Sequence, residues 1–484
     1  MNRGPADPAA EGSSAAELGL DLPEAGLAAK GLPEGDGNRS AERARFRAER
    51  GPAARALLEA DERVFFRQVL STPCLEAVVR AEGPWLETAD GQRILDFHGN
   101  SVHQLGHGHP RVRAAVARAL AELPFCPRRY TNPSAVRLAE RLVSAMPGGN
   151  GAWKCLLVPS GSLAIGIALK LARLATGRFG TLAFWDSFHG AGLDAASLGG
   201  EALFRDGLGP LLPGAHHLPP PGRGPCRFGC RDEEHGNCLA FLDETLARAP
   251  EIGVLVAEPV RWTTVAHPPP GYWKAVRSIC DRRGVLLVFD EIPASPARSG
   301  SLFVFEQLGV VPDMLVLGKG LGGGIWPQAA LLARAELDRF PATALGHYTH
   351  EKSPAGAAAA LATLEVIARG DLLARAGALG RRMQARLEAL RPAVPLLREI
   401  RALGAMVGVE LARPDGTPAV AEAERVLYAA LRRGLSFKIG GGNVITLCPP
   451  LTIGEDLLDR ALDILADALL ELAARPSPAV RGPA

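Results

Sequence analysis

Five short apolar runs constrain this chain more than any other feature of its sequence. Each closes in a polar or glycine-rich turn and is followed by a helical stretch. They are Ala152–Val158, Thr181–Trp185, Ile252–Ala257, Val285–Phe289 and Met314–Leu317. Runs this continuous fit strands covered on both faces, and strands alternating with helices imply a parallel sheet. The alternation runs from about Gly99 to Leu364. After Gly370 the period turns helical again, most plainly in Glu455–Ala474, where Leu458, Leu462, Leu465 and Leu469 recur at helical spacing. The expected architecture is α/β, with a mostly parallel sheet between helices in a large domain (99–365). A smaller α+β domain draws on both chain ends (41–98 and 366–475). Residues 1–40 and 476–484 read as tails, the first disordered, since they are rich in Ala, Gly, Pro and Glu without a sustained apolar period.

Composition excludes several function classes. The chain has 54 basic and 52 acidic side chains, a net charge of +2, so it lacks the basic excess that phosphate neutralisation on nucleic acid requires. Among its 484 residues no uninterrupted apolar run is long enough for a membrane helix, and the first twenty residues lack the apolar core of a secretory signal. The eight cysteines are sparse, which favours reduced thiols and a cytoplasmic setting. Four of the Cys/His residues do cluster, as Cys226, Cys230, His235 and Cys238. Their spacing is not the two-residue knuckle of zinc ribbons, so reduced loop cysteines are expected and no metal is assigned.

In a parallel sheet, ligands bind beyond the carboxyl ends of the strands. The turn Ser160-Gly161-Ser162 opens a helix and offers free N–H groups to an anion. Phe188-His189 follows the second run and offers a stacking face. Glu258 follows the third. Asp290 ends the most apolar run, where a carboxylate is costly without a partner. Lys319 stands among glycines after the fifth. The P-loop spacing is absent, because Gly320 follows Lys319, and so is a dinucleotide fingerprint. A phosphate cup, a stacking aromatic, a buried Asp and a glycine-flanked Lys together are what pyridoxal 5'-phosphate (PLP) needs.

With those residues in place, the segment from about Phe66 to the final helix resembles the class III (ornithine-type) aminotransferases, fold-type I PLP enzymes. The resemblance implies Lys319 as the Schiff-base lysine and Asp290 as the partner of the pyridinium nitrogen. It implies Phe188 as the stacking ring and Gly161 with Ser162 as the phosphate cup. Thr349, in GHYTHEKSP, matches the threonine that reaches the phosphate of the neighbouring subunit, so a homodimer with composite active sites is implied.

Three positions depart from that family. Pro293 and Arg261 stand where glutamines are usual. Thr446 stands where an arginine grips an α-carboxylate, and a hydroxyl cannot replace a bidentate guanidinium. The strings LDFHGNSVHQLGHGHP, PFCPRRYTN and LGKGLGGGIWP resemble the members of this family that act as ammonia-lyases on (R)-1-hydroxy-2-aminoethylphosphonate. That resemblance implies elimination of the hydroxyl, giving phosphonoacetaldehyde and ammonia in aminophosphonate catabolism. Lys319 would be the proton acceptor, with His98 or His189 as the candidate acid for hydroxide departure. Arg129 and Arg261 are the expected substrate-binding residues, ahead of Arg128, Lys352 and Lys438. Two alternatives stay open: an ω-type aminotransferase for an amine without an α-carboxylate, such as 2-aminoethylphosphonate, and a non-catalytic PLP-fold protein.

Overall fold

The computed structural model describes residues 38, 40–221, 228–230 and 236–474. Seven strands form the central sheet: β1 (Trp153–Val158), β2 (Gly180–Phe184), β3 (Ala215–Leu218), β4 (Ile252–Ala257), β5 (Leu286–Asp290), β6 (Met314–Leu317) and β7 (Ala329–Arg334). Their order across the sheet is β1-β7-β6-β5-β4-β2-β3. β7 runs antiparallel to β1 and β6, and the other pairings are parallel. The five apolar runs thus become five strands, with bounds shifted by a residue or less at most ends. Two strands escape the sequence pattern. Ala329–Arg334 is built of Ala and Leu, which favour helix locally, and is held extended by pairing on both sides. Ala215–Leu218 is a four-residue edge strand with two histidines.

Alternation along the strands feeds two apolar cores. Leu287 and Phe289 of β5, with Leu315 and Leu317 of β6, face one core. Val288, Met314 and Val316 face the other, against Ile165, Ile167 and Leu171 of the helix Gly161–Thr176. Parallel strands buried on both faces have no solvated side, which is why their sequences carry unbroken apolar runs.

The chain ends meet in a third core, where Phe46, Leu95 and Phe97 pack with Leu379, Val426 and Leu465. Leu435–Ser436 pairs in parallel with Arg93–Asp96, adding a C-terminal strand to the N-terminal meander Val78–Glu82, Trp85–Thr88 and Arg93–Asp96. Leu458, Leu462, Leu465 and Leu469 of the last helix are all buried, as their spacing requires.

A second antiparallel sheet, of Leu397–Leu403, Met406–Leu411, Lys438–Gly440 and Val444–Leu447, seats against the loop after β4. A Cβ on Gly440 would overlap the Thr263 carbonyl, and one on Gly408 would overlap that of Thr264. Arg401 donates to the Thr264 carbonyl at 3.0 and 3.2 Å, and the Thr446 hydroxyl donates to that of Thr263. These contacts fix how the C-terminal sheet faces the carboxyl edge of the large one. Among the described residues, no helix is long and apolar enough to cross a membrane.

Candidate active site

Five strands, β1, β2, β4, β5 and β6, deliver polar residues to the same edge. After β1, Ser160 caps the helix Gly161–Thr176, its hydroxyl accepting from the Leu163 N–H. The first N–H groups of that helix have no intrahelical acceptor and carry the positive end of its dipole. Gly161 lies against Ile292, where a Cβ would overlap the Ile292 side chain. The Ser162 hydroxyl accepts from the Gly192 N–H at 3.2 Å, and Gly190 packs so tightly on Ser162 that no Cβ fits. The cup and the turn after β2 are therefore one unit.

That turn carries Phe188 and His189. His189 is buried, and its Nδ1 lies 2.8 Å from Asp290 Oδ2. Asp290 Oδ1 accepts the Ile292 N–H at 3.1 Å. Asp290 is 2% exposed, so its carboxylate is held by donors rather than by water. His189 Nε2 is buried and without a partner among the described residues. The Phe188 N–H donates to Glu258 Oε1 at 3.2 Å, and its ring leans on Phe204 with centroids 4.4 Å apart. Burial, then the Asp290 charge, pushes Glu258 well above the usual carboxylate range. The Phe188 N–H and the Lys319 charge oppose that shift, and the Arg261 guanidinium donates to Glu258 Oε1 at 2.7 Å.

Lys319 follows β6 at the start of a short 3-10 turn, with φ at 42°. A lysine in the left-handed region carries strain of the kind found at functional positions. Burial pulls its amine down to about 8; the Asp290 and Glu258 charges oppose this, and Lys438 and Arg261 add to it. Its Nζ stands 5.3 Å from the Trp262 ring centroid. The carboxamide of Gln104 is buried against Gly320, in space that a Cβ there would fill. An expected outcome follows for the cofactor-free protein: acylation of Lys319 by an amine-directed reagent, read by mass spectrometry, rises with pH through about 8. A midpoint near 10.5 would mean that Lys319 is solvated like an ordinary lysine.

Of the residues singled out from sequence, Ser160, Gly161, Ser162, Phe188, His189, Glu258, Asp290 and Lys319 gather at this edge. Arg261 gathers there too, but its guanidinium is committed to Glu258 and Glu201, with Asp186 4.0 Å away. Arg129 and Thr349 are exposed on the protomer. Neighbouring Arg128 meets His347 Nε2 at 2.6 Å. His98 stacks near Trp262, with centroids 6.3 Å apart and planes 9° from parallel. Burial and then the Lys438 charge lower His98 to about 4, which favours the neutral imidazole near pH 7. Cys226 and His235 lie outside the described residues; the Cys230 and Cys238 sulfurs are 3.5 Å apart. Trp262 and Gln104 were not picked out from sequence. Trp262 adjoins Arg261 after a strand end, a place where an aromatic deserved weight. For Gln104 no local pattern exists.

The groups fit PLP: a helix N-terminus to donate to a phosphate, the Asp290 carboxylate to accept from a ring N–H, and a lysine amine held at low basicity. The class III aminotransferase family (aminotransferase class-III) matches residues 67–469. The chain belongs to it. Class III members depend on PLP, and so does this enzyme. It is 42% identical over 437 residues to the (R)-1-hydroxy-2-aminoethylphosphonate ammonia-lyase of Vibrio splendidus (strain 12B01), covering 87% of this chain and 91% of that protein. It is 33% identical over 417 residues to the diaminobutyrate–2-oxoglutarate aminotransferase of Rhizobium meliloti (strain 1021), covering 82% and 88%. Among solved structures it matches a thermostable (S)-enantioselective omega-transaminase from Thermomicrobium roseum at a TM-score of 0.80 and 27% identity, covering 87% of this chain and all of that one. The class III fold therefore hosts this site, as a fold-type I architecture. Both lyase and aminotransferase names occur among its relatives, so the family alone does not fix the reaction.

Proposed function

We propose that this enzyme is an ammonia-lyase that converts (R)-1-hydroxy-2-aminoethylphosphonate to phosphonoacetaldehyde and ammonia. The observation that carries the reading is the 42% identity to the Vibrio splendidus lyase over 87% of the chain. Thr446 supports it. Its side chain is 1% exposed and bonded to the Thr263 carbonyl, so no carboxylate clamp stands at the position where an aminotransferase would hold its keto-acid partner.

When bound, PLP supplies an electron sink for a carbanion on the carbon that carries the substrate nitrogen. In this reading Lys319 and Asp290 are the catalytic residues. Asp290 keeps a proton on the ring nitrogen, and His189, at 2.8 Å, holds that carboxylate in place. Ser160, Gly161 and Ser162 would hold the phosphate, Phe188 would cover the ring, and Glu258 accepts the Phe188 N–H beside it. Lys319 Nζ takes the proton from the nitrogen-bearing carbon. The C–O bond at the next carbon breaks, and the hydroxide leaves with a proton. In this reading the Lys319 ammonium formed in the first step, rather than His98 or His189, is the donor for that departure. The enamine product takes up water and releases ammonia and the aldehyde. Arg129 and Thr349, both exposed on the protomer, complete the site in a homodimer.

The test is purified holoenzyme with (R)-1-hydroxy-2-aminoethylphosphonate and no keto acid. Ammonia and aldehyde are expected in equal amounts over many turnovers. Turnover only after a keto acid is added, with an amino acid formed, would make the protein an aminotransferase.

A further inference from the structure

In the proposed mechanism Lys319 is an ammonium between taking the substrate proton and giving it to the departing hydroxide. That charge forms in a buried place, where an unpaired cation is costly. The two carboxylates whose charges reach Lys319 are already engaged. Asp290 meets His189 and the Ile292 N–H, and Glu258 accepts from the Phe188 N–H and Arg261. Among the described residues the Lys319 amine has no hydrogen bond and no ion pair. It does have an aromatic face, for Nζ stands over the Trp262 ring, 5.3 Å from the centroid. A cation within about 6 Å of a tryptophan centroid is attracted by the ring quadrupole, more strongly where water is excluded.

The ring is firmly held. Trp262 is 6% exposed and belongs to a core with Val260, Val265, Met406 and Cys448. Its backbone lies in a tight turn. The Arg261 N–H donates to the Ala266 carbonyl at 2.8 Å, and the Ala266 N–H donates to the Arg261 carbonyl at 3.2 Å. The next two carbonyls, of Thr263 and Thr264, are bonded to the C-terminal sheet. On that frame the ring cannot leave the amine without unpacking a core. Lys438 and Arg261 are the cations whose charges reach Lys319, and both disfavour its ammonium form. Lys438 Nζ also lies 5.3 Å from the Trp262 centroid, and His98 stacks near the ring.

We propose that Trp262 is a positioning residue whose aromatic face steadies the Lys319 ammonium between proton uptake and proton delivery. This rests on the lyase reading for the two proton steps, while the contact itself does not depend on the reaction. A carboxylate in the same place would hold the ammonium too well, raising the basicity of the amine and keeping its proton from the hydroxide. A π face attracts the charge and accepts no proton, so the amine can both take and release one near neutral pH.

The experiment follows acylation of Lys319 against pH in the cofactor-free protein, read by mass spectrometry, for Trp262→Met and Trp262→Phe. Methionine fills space without a π face. Its midpoint is expected about 0.5 to 1.5 pH below the wild-type midpoint near 8, the scale of one desolvated cation–π contact. Trp262→Phe is expected to recover most of that fall. The same fall is expected in a Lys438→Met background, where the second ammonium is gone. Fluorinated tryptophan at position 262 keeps the shape and weakens the π face, so the midpoint is expected to drop stepwise with each added fluorine. In the holoenzyme, Trp262→Met is expected to lower kcat on the aminophosphonate about 10-fold with a smaller change in KM.

A midpoint unmoved by fluorination would overturn the proposal, and so would a Trp262→Phe midpoint as low as that of Trp262→Met. A fall seen only while Lys438 is present would also overturn it, since the ring would then act on that lysine instead. If wild type proves to be an aminotransferase, the lyase reading fails alone, because the acylation midpoint needs neither substrate nor cofactor.

Discussion

Lys319→Ala is expected to reduce turnover by at least about 10³-fold and to abolish the absorbance of the bound cofactor, with the fold intact. The loss is large because in the proposed mechanism one amine anchors the cofactor and moves the proton, and proton transfer by a positioned group alone is worth about 10²–10⁴. Burial lowers the basicity of this amine, so that it can act near neutral pH. The fold is expected to survive because alanine keeps the Cβ at the same positive φ and, among the described residues, no side-chain hydrogen bond of Lys319 supports the sheet. The check is steady-state turnover beside an absorbance spectrum and a thermal melt. Retention of both turnover and absorbance would rule out Lys319 as the anchor.

Asp290→Asn is expected to lower kcat by about 10²–10³, the scale found when one preorganised charge is removed from a water-excluded site. The substitution keeps the shape and can keep an acceptor for the Ile292 N–H, but removes the negative charge that faces His189. Because that charge raises the Lys319 pKa, its removal is expected to move the midpoint of Lys319 acylation below about 8 in the cofactor-free variant. A variant with reduced kcat and an unmoved midpoint would mean that Asp290 does not act on Lys319 through its charge. A melting temperature close to wild type distinguishes lost chemistry from lost folding.

Both predictions concern residues legible from sequence, and the reason is physical. A strand buried on both faces must be apolar until it reaches the edge of the sheet, so the first polar residue after it marks that edge. Asp290 and Lys319 follow unbroken runs of this kind and were locatable without coordinates. Gly161 and Ser162 were locatable because a small-residue turn before a helix is a local signal. Ala329–Arg334 was not, because its composition favours helix and only pairing on both sides makes it a strand.

The polar partners were less legible. Arg261 stands at a strand end as expected, yet its partner Glu201 comes from another loop, and no local pattern reports that pairing. Gln104 reaches Gly320 across more than 200 residues of sequence. Lys438 carries no motif at all. Its place beside Trp262 depends on the hairpin register with Thr446 and on the close approach of Gly440 to Thr263.

The sequence by itself determined the α/β layering, the order of the strand ends and which polar residues stand there, because burial and turn chemistry act over a few residues. Only the tertiary structure decided which side chains face the reacting centre and that Arg261 is spent on carboxylates. Charges act through space, and the residues that neutralise or spare them lie far apart along the chain.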